Sequence, residues 1–208
     1  MKTILLTSAG MQVKAEILKL LSKPANQTRV AHIITASKVE KNTAYVEEEL
    51  RAMGAVGFQV TNVDIEAKTT NELRNILQDK DIIYVQGGNT FYLLKHAKTS
   101  GFDIIVKELI DKGIIYIGVS AGSYIACPTI EMAIWKHQDR NRIGLTDLTA
   151  LHLVPFLLSV HYTPKYKEIL KKAIKQTQYP VRILTDKQAL LVRGEEVMLV
   201  GSGTAVLL

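Results

Sequence analysis

The chain has 208 residues, 47% hydrophobic and 22% charged, with a net charge of +6 and one cysteine. That length builds one well-buried domain and is short for two, so residues 1–208 are expected to form a single unit. No apolar run approaches the ~20 residues of a bilayer span, Cys127 alone excludes an internal disulfide, and the basic excess comes with no nucleic-acid-binding motif.

In chain order, strand-like and helix-like segments alternate. "KTILLT" reads as a first strand rather than a signal peptide, and "VKAEILKLLSK" follows as a helix with Val13, Ile17, Leu20 and Leu21 on one side. "RVAHIITAS" is a continuous apolar run, as expected for a strand buried on both faces. Residues 39–53 carry Tyr45, Val46, Leu50 and Met53 at helical spacing, with Gly54 as the expected stop. Then come the strand "GFQVTNVDI", the helix "TNELRNILQDK" with Thr70 as its cap, and the buried strand "DIIYVQGG". Two further helices, "NTFYLLKHAKTSG" and "DIIVKELIDKG", lead to the strand "IIYIGV". "LHLVPFLLSV" reads as one more strand, and Tyr166, Ile169, Leu170, Ala173 and Ile174 form the stripe of an amphipathic helix whose lysines cover the wet face. From about residue 180 the segments "VRILTD", "QALLVRG", "EEVMLVG" and "TAVLL" predict antiparallel hairpins.

Strands alternating with helices imply βαβ units and a parallel sheet covered on both faces. Right-handed crossovers bring the C-terminal ends of such strands to one edge, where open α/β folds bind ligands. Two of these ends are unusual: one runs into Gly87-Gly88-Asn89-Thr90, the other into Val119-Ser120-Ala121-Gly122. Each leads into a helix whose first N–H groups lack intrahelical partners and can hold an anion or a developing oxyanion. A serine between glycines at a strand-to-helix elbow is a candidate nucleophile, although G-x-S-x-G alone also fits an ordinary turn.

A serine hydroxyl needs a base to take its proton. Of five histidines, His161 ends a predicted strand at the same edge as Ser120. His32 and His96 sit within elements, His152 begins the strand that His161 ends, at the edge away from Ser120 if that strand is parallel, and His137, in a polar loop, is the runner-up. The loop at 131–147 offers Glu131, Asp139 and Asp147 as the carboxylate that would orient the base; Asp139 is the choice, narrowly ahead of Glu131. Cys127 is expected to pack in the core as an inert thiol.

"VQGGNTFYLLK", "YIGVSAGSYIACPTI" and "LHLVPFLLSVHY", in this order, resemble peptidase family S51, which holds peptidase E and the cyanophycinases. The resemblance runs from the first strand to about residue 165. It implies a flavodoxin-like, three-layer α/β/α sandwich with a mostly parallel sheet, akin to class I glutamine amidotransferases, here with a C-terminal hairpin region. It also implies Ser120 as nucleophile, His161 as base and Asp139 as the catalytic aspartate, with the N–H groups of Gly88 and Ala121 as oxyanion donors and Asn89 beside the substrate. The loop and arginine with which peptidase E reads an aspartate are not matched; after His161 the chain continues "YTPKYKEILKK", with Lys165 and Lys167 as the nearby cations.

The expected activity is therefore that of a serine-type peptidase cleaving small peptides, needing no cofactor or metal and binding neither nucleic acid nor membrane. The expected setting is the cytoplasm, as the single cysteine suggests, with a homodimer as the candidate assembly. Two rivals stand beside it: a non-catalytic binder of a metabolite or partner on the same fold, and an α/β-hydrolase esterase. The esterase is disfavoured because only 41 positions separate Ser120 from His161.

Overall fold

The computed structural model describes residues 2–137 and 139–208. Its central sheet has seven strands: β1 (Thr3–Thr7), β2 (Arg29–Ile33), β3 (Gln59–Val63), β4 (Ile82–Val85), β5 (Ile115–Val119), β8 (Gln188–Arg193) and β9 (Glu196–Gly201), in the order β3-β2-β4-β5-β1-β8-β9. The first five are parallel, and β8 and β9 extend the sheet antiparallel beyond β1. The continuous apolar runs follow from burial on both faces. Ile4 and Leu6 of β1 enter one core and Leu5 the other; β4 divides likewise, with Ile83 and Val85 on one side and Ile82 and Tyr84 on the other.

One face is covered by α1 (Lys14–Leu18) and α2 (Ala44–Val56), which contribute Ile17 and Met53. The opposite face is covered by α3 (Thr70–Leu77), α4 (Thr90–Ser100), α5 (Phe102–Asp111) and the short α6 (Ala121–Ile125). This is the three-layer α/β/α arrangement with a mostly parallel sheet that the sequence implied. Neighbouring strands β1 and β5 send their following helices to opposite faces, which makes their junction a topological switch point. Thr7 pairs with Val119 there, so Ser8 and Ser120 leave the sheet side by side.

The ends of two helices differ from expectation. α2 runs through Gly54 and stops at Gly57, whose φ of 98° supplies the left-handed residue that closes the last turn. Gly54 is not among the residues at positive φ, so the helix passes through it. The cap of α3 is Thr69, not Thr70: its side chain accepts from Glu72 N–H while Glu72 reciprocates to the Thr69 N–H, forming a capping box.

The tail also departs from the predicted hairpins. β6 (Leu157–Ser159) and β7 (Val181–Ile183) pair in parallel as a separate two-stranded sheet, joined across α7 (Lys167–Ile174). Parallel strands need such a crossover, so the amphipathic helix is the middle of a βαβ unit. "VRILTD" is therefore its second strand rather than one arm of a hairpin. Only β8 and β9 form a hairpin, and "TAVLL" takes up no strand.

Candidate active site

Ser120 sits at the elbow between β5 and α6 with φ 48° and ψ −106°, a backbone conformation that side chains other than glycine rarely adopt. The surrounding chain holds it there. The Ser120 N–H donates to Thr7 O at 3.1 Å, and Tyr124 N–H closes the first helical turn on Ser120 O at 2.9 Å. The flanking glycines answer to close approach: a Cβ on Gly122 would lie 2.1 Å from Val85 O, and one on Gly118 would lie 2.7 Å from Gly122 O. Neighbouring Gly87 faces the nucleophile so closely that a Cβ there would come within 3.1 Å of Ser120 Cβ.

His161 follows β6 at a positive φ of 54°. Its Nε2 lies 3.1 Å from Ser120 Oγ, and its Nδ1 lies 2.6 Å from Asp186 Oδ1. With Nδ1 protonated toward the carboxylate, Nε2 is left to accept from the serine hydroxyl. Ser8 ties these groups together: its hydroxyl donates to Asp186 Oδ1 at 2.6 Å and accepts from the His161 backbone N–H at 2.8 Å. Partial burial disfavours the charge on Asp186, but the Ser8 hydroxyl and the His161 ring outweigh it and hold the carboxyl below its usual range. Lys136 lies beneath. It is 6% exposed, its ammonium donates to Val160 O, and burial pushes it down to about 8 against the pull of Asp186.

The structure thus brings Ser120 and His161 together, while the carboxylate against the ring is Asp186 rather than Asp139 or Glu131. Asp139 is engaged elsewhere. It accepts from Asn89 Nδ2 and from Thr90 N–H, each at 2.8 Å, and so braces the turn that starts α4. Burial raises its carboxyl despite those donors. Asn89 is correspondingly occupied: it caps α4 by accepting from Tyr92 N–H at 3.0 Å, and its amide nitrogen serves Asp139 and Arg140 O. Gly88 beside it has φ 139°, and a Cβ there would strike Ala36 O at 2.3 Å. Gly88 and Ser120 both line one cavity, and Ala121 supplies the first residue of α6 next to it. Cys127 is buried and donates to Ser123 O, its thiol raised by burial.

Asp186 lies 25 residues after His161 in sequence, on the far side of the intervening helix, whereas the loop at 131–147 before His161 offers carboxylates in plain view. The available signal was positional. Asp186 stands three residues beyond β7 as His161 stands two beyond β6, and paired parallel strands deliver both to one edge.

The cavity in front of Ser120 measures about 640 Å³ and lies between the ends of β1, β4 and β5, Glu40 and helix α2. Among the described residues, no group of side chains is arranged to hold a metal ion, and no helix is long and apolar enough to cross a membrane.

Comparison with known proteins matches this chain to a family. The model of peptidase family S51 matches residues 4–200. An uncharacterized peptidase of Listeria monocytogenes, Lmo0363, is 37% identical over 95% of this chain and 98% of its own length. Peptidase E of Salmonella newport is 30% identical over 78% of this chain and 69% of its own. A crystal structure of a candidate peptidase E from Listeria monocytogenes EGD-e superposes with a TM-score of 0.87 at 34% identity, covering 98% of this chain and 100% of that one. These matches displace both the α/β-hydrolase and the non-catalytic readings: the chain belongs to peptidase family S51 and is a serine-type peptidase.

Proposed function

We propose that the protein hydrolyses small peptides, dipeptides among them, through an acyl-enzyme formed on Ser120, with His161 as general base and Asp186 as the group that orients it. The observation that carries this reading is the unbroken chain Ser120 Oγ–His161–Asp186, with links of 3.1 and 2.6 Å. Ser120 Oγ attacks the scissile carbonyl as its proton passes to His161 Nε2. The resulting imidazolium is stabilised by Asp186 and returns the proton to the departing amine. Water then enters and gives a proton to the same nitrogen as its oxygen attacks the acyl carbon; the proton passes on to Ser120 Oγ as its bond to that carbon breaks and the acid leaves.

The tetrahedral oxyanion is assigned to the N–H groups of Gly88 and Ala121, where losing one donor typically costs about 3 kcal/mol of barrier. Both lie on turns that cannot shift easily, because Gly88 abuts Ala36 and Gly122 abuts Val85. Asp139 supports the first of these turns and is a positioning residue in this scheme. The test is hydrolysis of a dipeptide library by the wild type and by Ser120→Ala. Release of free amino acids that vanishes in the variant is expected, and equal turnover by both would overturn the assignment.

A further inference from the structure

The chain as a whole is cationic at +6, yet the wall of the catalytic cavity is not. Glu40, Glu48, Glu49 and Asp139 line it, and no lysine or arginine does. Two of these carboxylates come from a helical stripe, since Tyr45, Glu48, Glu49 and Ala52 of α2 fall at i, i+3, i+4 and i+7 and all face the cavity. Among the described residues, none of the four carboxylates forms an ion pair with a lysine or arginine, whereas Asp64, Glu66, Asp79, Asp81, Glu108 and Asp147 all do.

Glu49 is set in place rather than left to solvent. Tyr84 donates to it at 2.6 Å from inside the sheet, and the Met11 N–H lies 3.2 Å from each of its oxygens. Burial raises its carboxyl, the donors from Tyr84 and Met11 work against that, and nearby Glu48 adds to the rise. A partly buried carboxylate without a counter-cation is disfavoured on its own and strongly favours an incoming cation. Lys165, at the mouth of the following helix, is turned to the Tyr166 ring at 4.9 Å and is not among the lining residues.

Building on the peptidase reading above, we infer that this cavity selects substrates that bring a cationic group, an ammonium or guanidinium, against Glu48 and Glu49, and that it rejects acidic ones. Two parts of a peptide carry such chemistry, the free N-terminus and a basic side chain.

Binding is measured by calorimetry on Ser120→Ala, which separates recognition from turnover. The probes are Lys-Ala, Ala-Ala and Asp-Ala, each also as its N-acetyl form. Lys-Ala is expected to bind at least about tenfold tighter than Asp-Ala, equivalent to about 1.4 kcal/mol. That preference should shrink several-fold when Glu49→Gln or the solvent-facing Glu48→Gln is added to Ser120→Ala, and it should weaken with salt. Loss of affinity on acetylation of Ala-Ala assigns the cation to the N-terminus; a Lys over Ala preference that survives acetylation assigns it to the side chain. Tighter binding of Asp-Ala, or a preference unchanged in both glutamine variants with folding intact, overturns the inference. Neither result touches the peptidase reading, which stands or falls on turnover by the wild type.

Discussion

Replacing Asp186 by Asn separates the observed carboxylate from the one the sequence pointed to. The substitution keeps size and removes the charge that faces His161 Nδ1 at 2.6 Å. Two unit charges about 4 Å apart interact by roughly 4 kcal/mol at an effective dielectric of about 20. The side chains of His161 and Asp186 are 36% and 50% exposed, so about half of that survives solvent screening, or about 2 kcal/mol. The amide adds a second loss, because its NH2 turned toward Nδ1 favours the ring tautomer with the proton on Nε2, where Ser120 needs an acceptor. Together these predict a fall in kcat of about 10²- to 10³-fold with KM little changed, read from steady-state hydrolysis of one dipeptide. Adding Asp186→Asn to Ser120→Ala should cost almost nothing further. Asp139→Asn provides the contrast: it loosens the turn at Gly88 but leaves the His161 ring in place, so its loss should be the smaller. A larger loss in Asp139→Asn than in Asp186→Asn would show that Asp186 is not the carboxylate that orients His161.

Gly122→Ala places a methyl 2.1 Å from Val85 O and should destabilise the fold by about 2 kcal/mol or more, lowering Tm by roughly 4–8 °C in a chain of this size while abolishing activity. Thr69→Ala removes the capping box of α3, outside the lining of the catalytic cavity, and should cost about 1 kcal/mol in denaturant unfolding with kcat unchanged. Lys136 has a folded value of about 8 against 10.5 for the free side chain. The unfolded chain therefore binds the extra proton between those limits, and this group's contribution to stability rises with pH from about 8 to 10.5. Lys136→Met should accordingly gain relative stability at pH 7 and lose that advantage by about pH 10 in matched urea titrations.

The parallel core was legible because its strands are buried on both faces and so appear as unbroken apolar runs, such as "IIYIGV". Ser120 and its glycines were legible for a related reason: a tight elbow against Thr7 and Val85 leaves little choice of residue. The helix end at Gly57 was not, since Gly54 and Gly57 are equivalent in composition and differ only in which is forced to positive φ. β7 was misread because three residues carry no sign of their partner, and a parallel pairing across α7 is a long-range choice. Asp186 went unseen with it. Once β7 is a strand of a βαβ unit, the aspartate beyond its end falls beside His161 without further assumption. The acid lining from α2 was hidden as well, because Glu48 and Glu49 read as the wet face of a helix until the cavity beside them is visible.

Whether His161 makes Ser120 nucleophilic is read by treating the protein with a fluorophosphonate and mapping the adduct by mass spectrometry. One adduct is expected, on the peptide holding Ser120, absent in Ser120→Ala and formed far more slowly in His161→Ala. An adduct on another residue, or labelling of Ser120→Ala at the wild-type rate, would rule Ser120 out as the nucleophile.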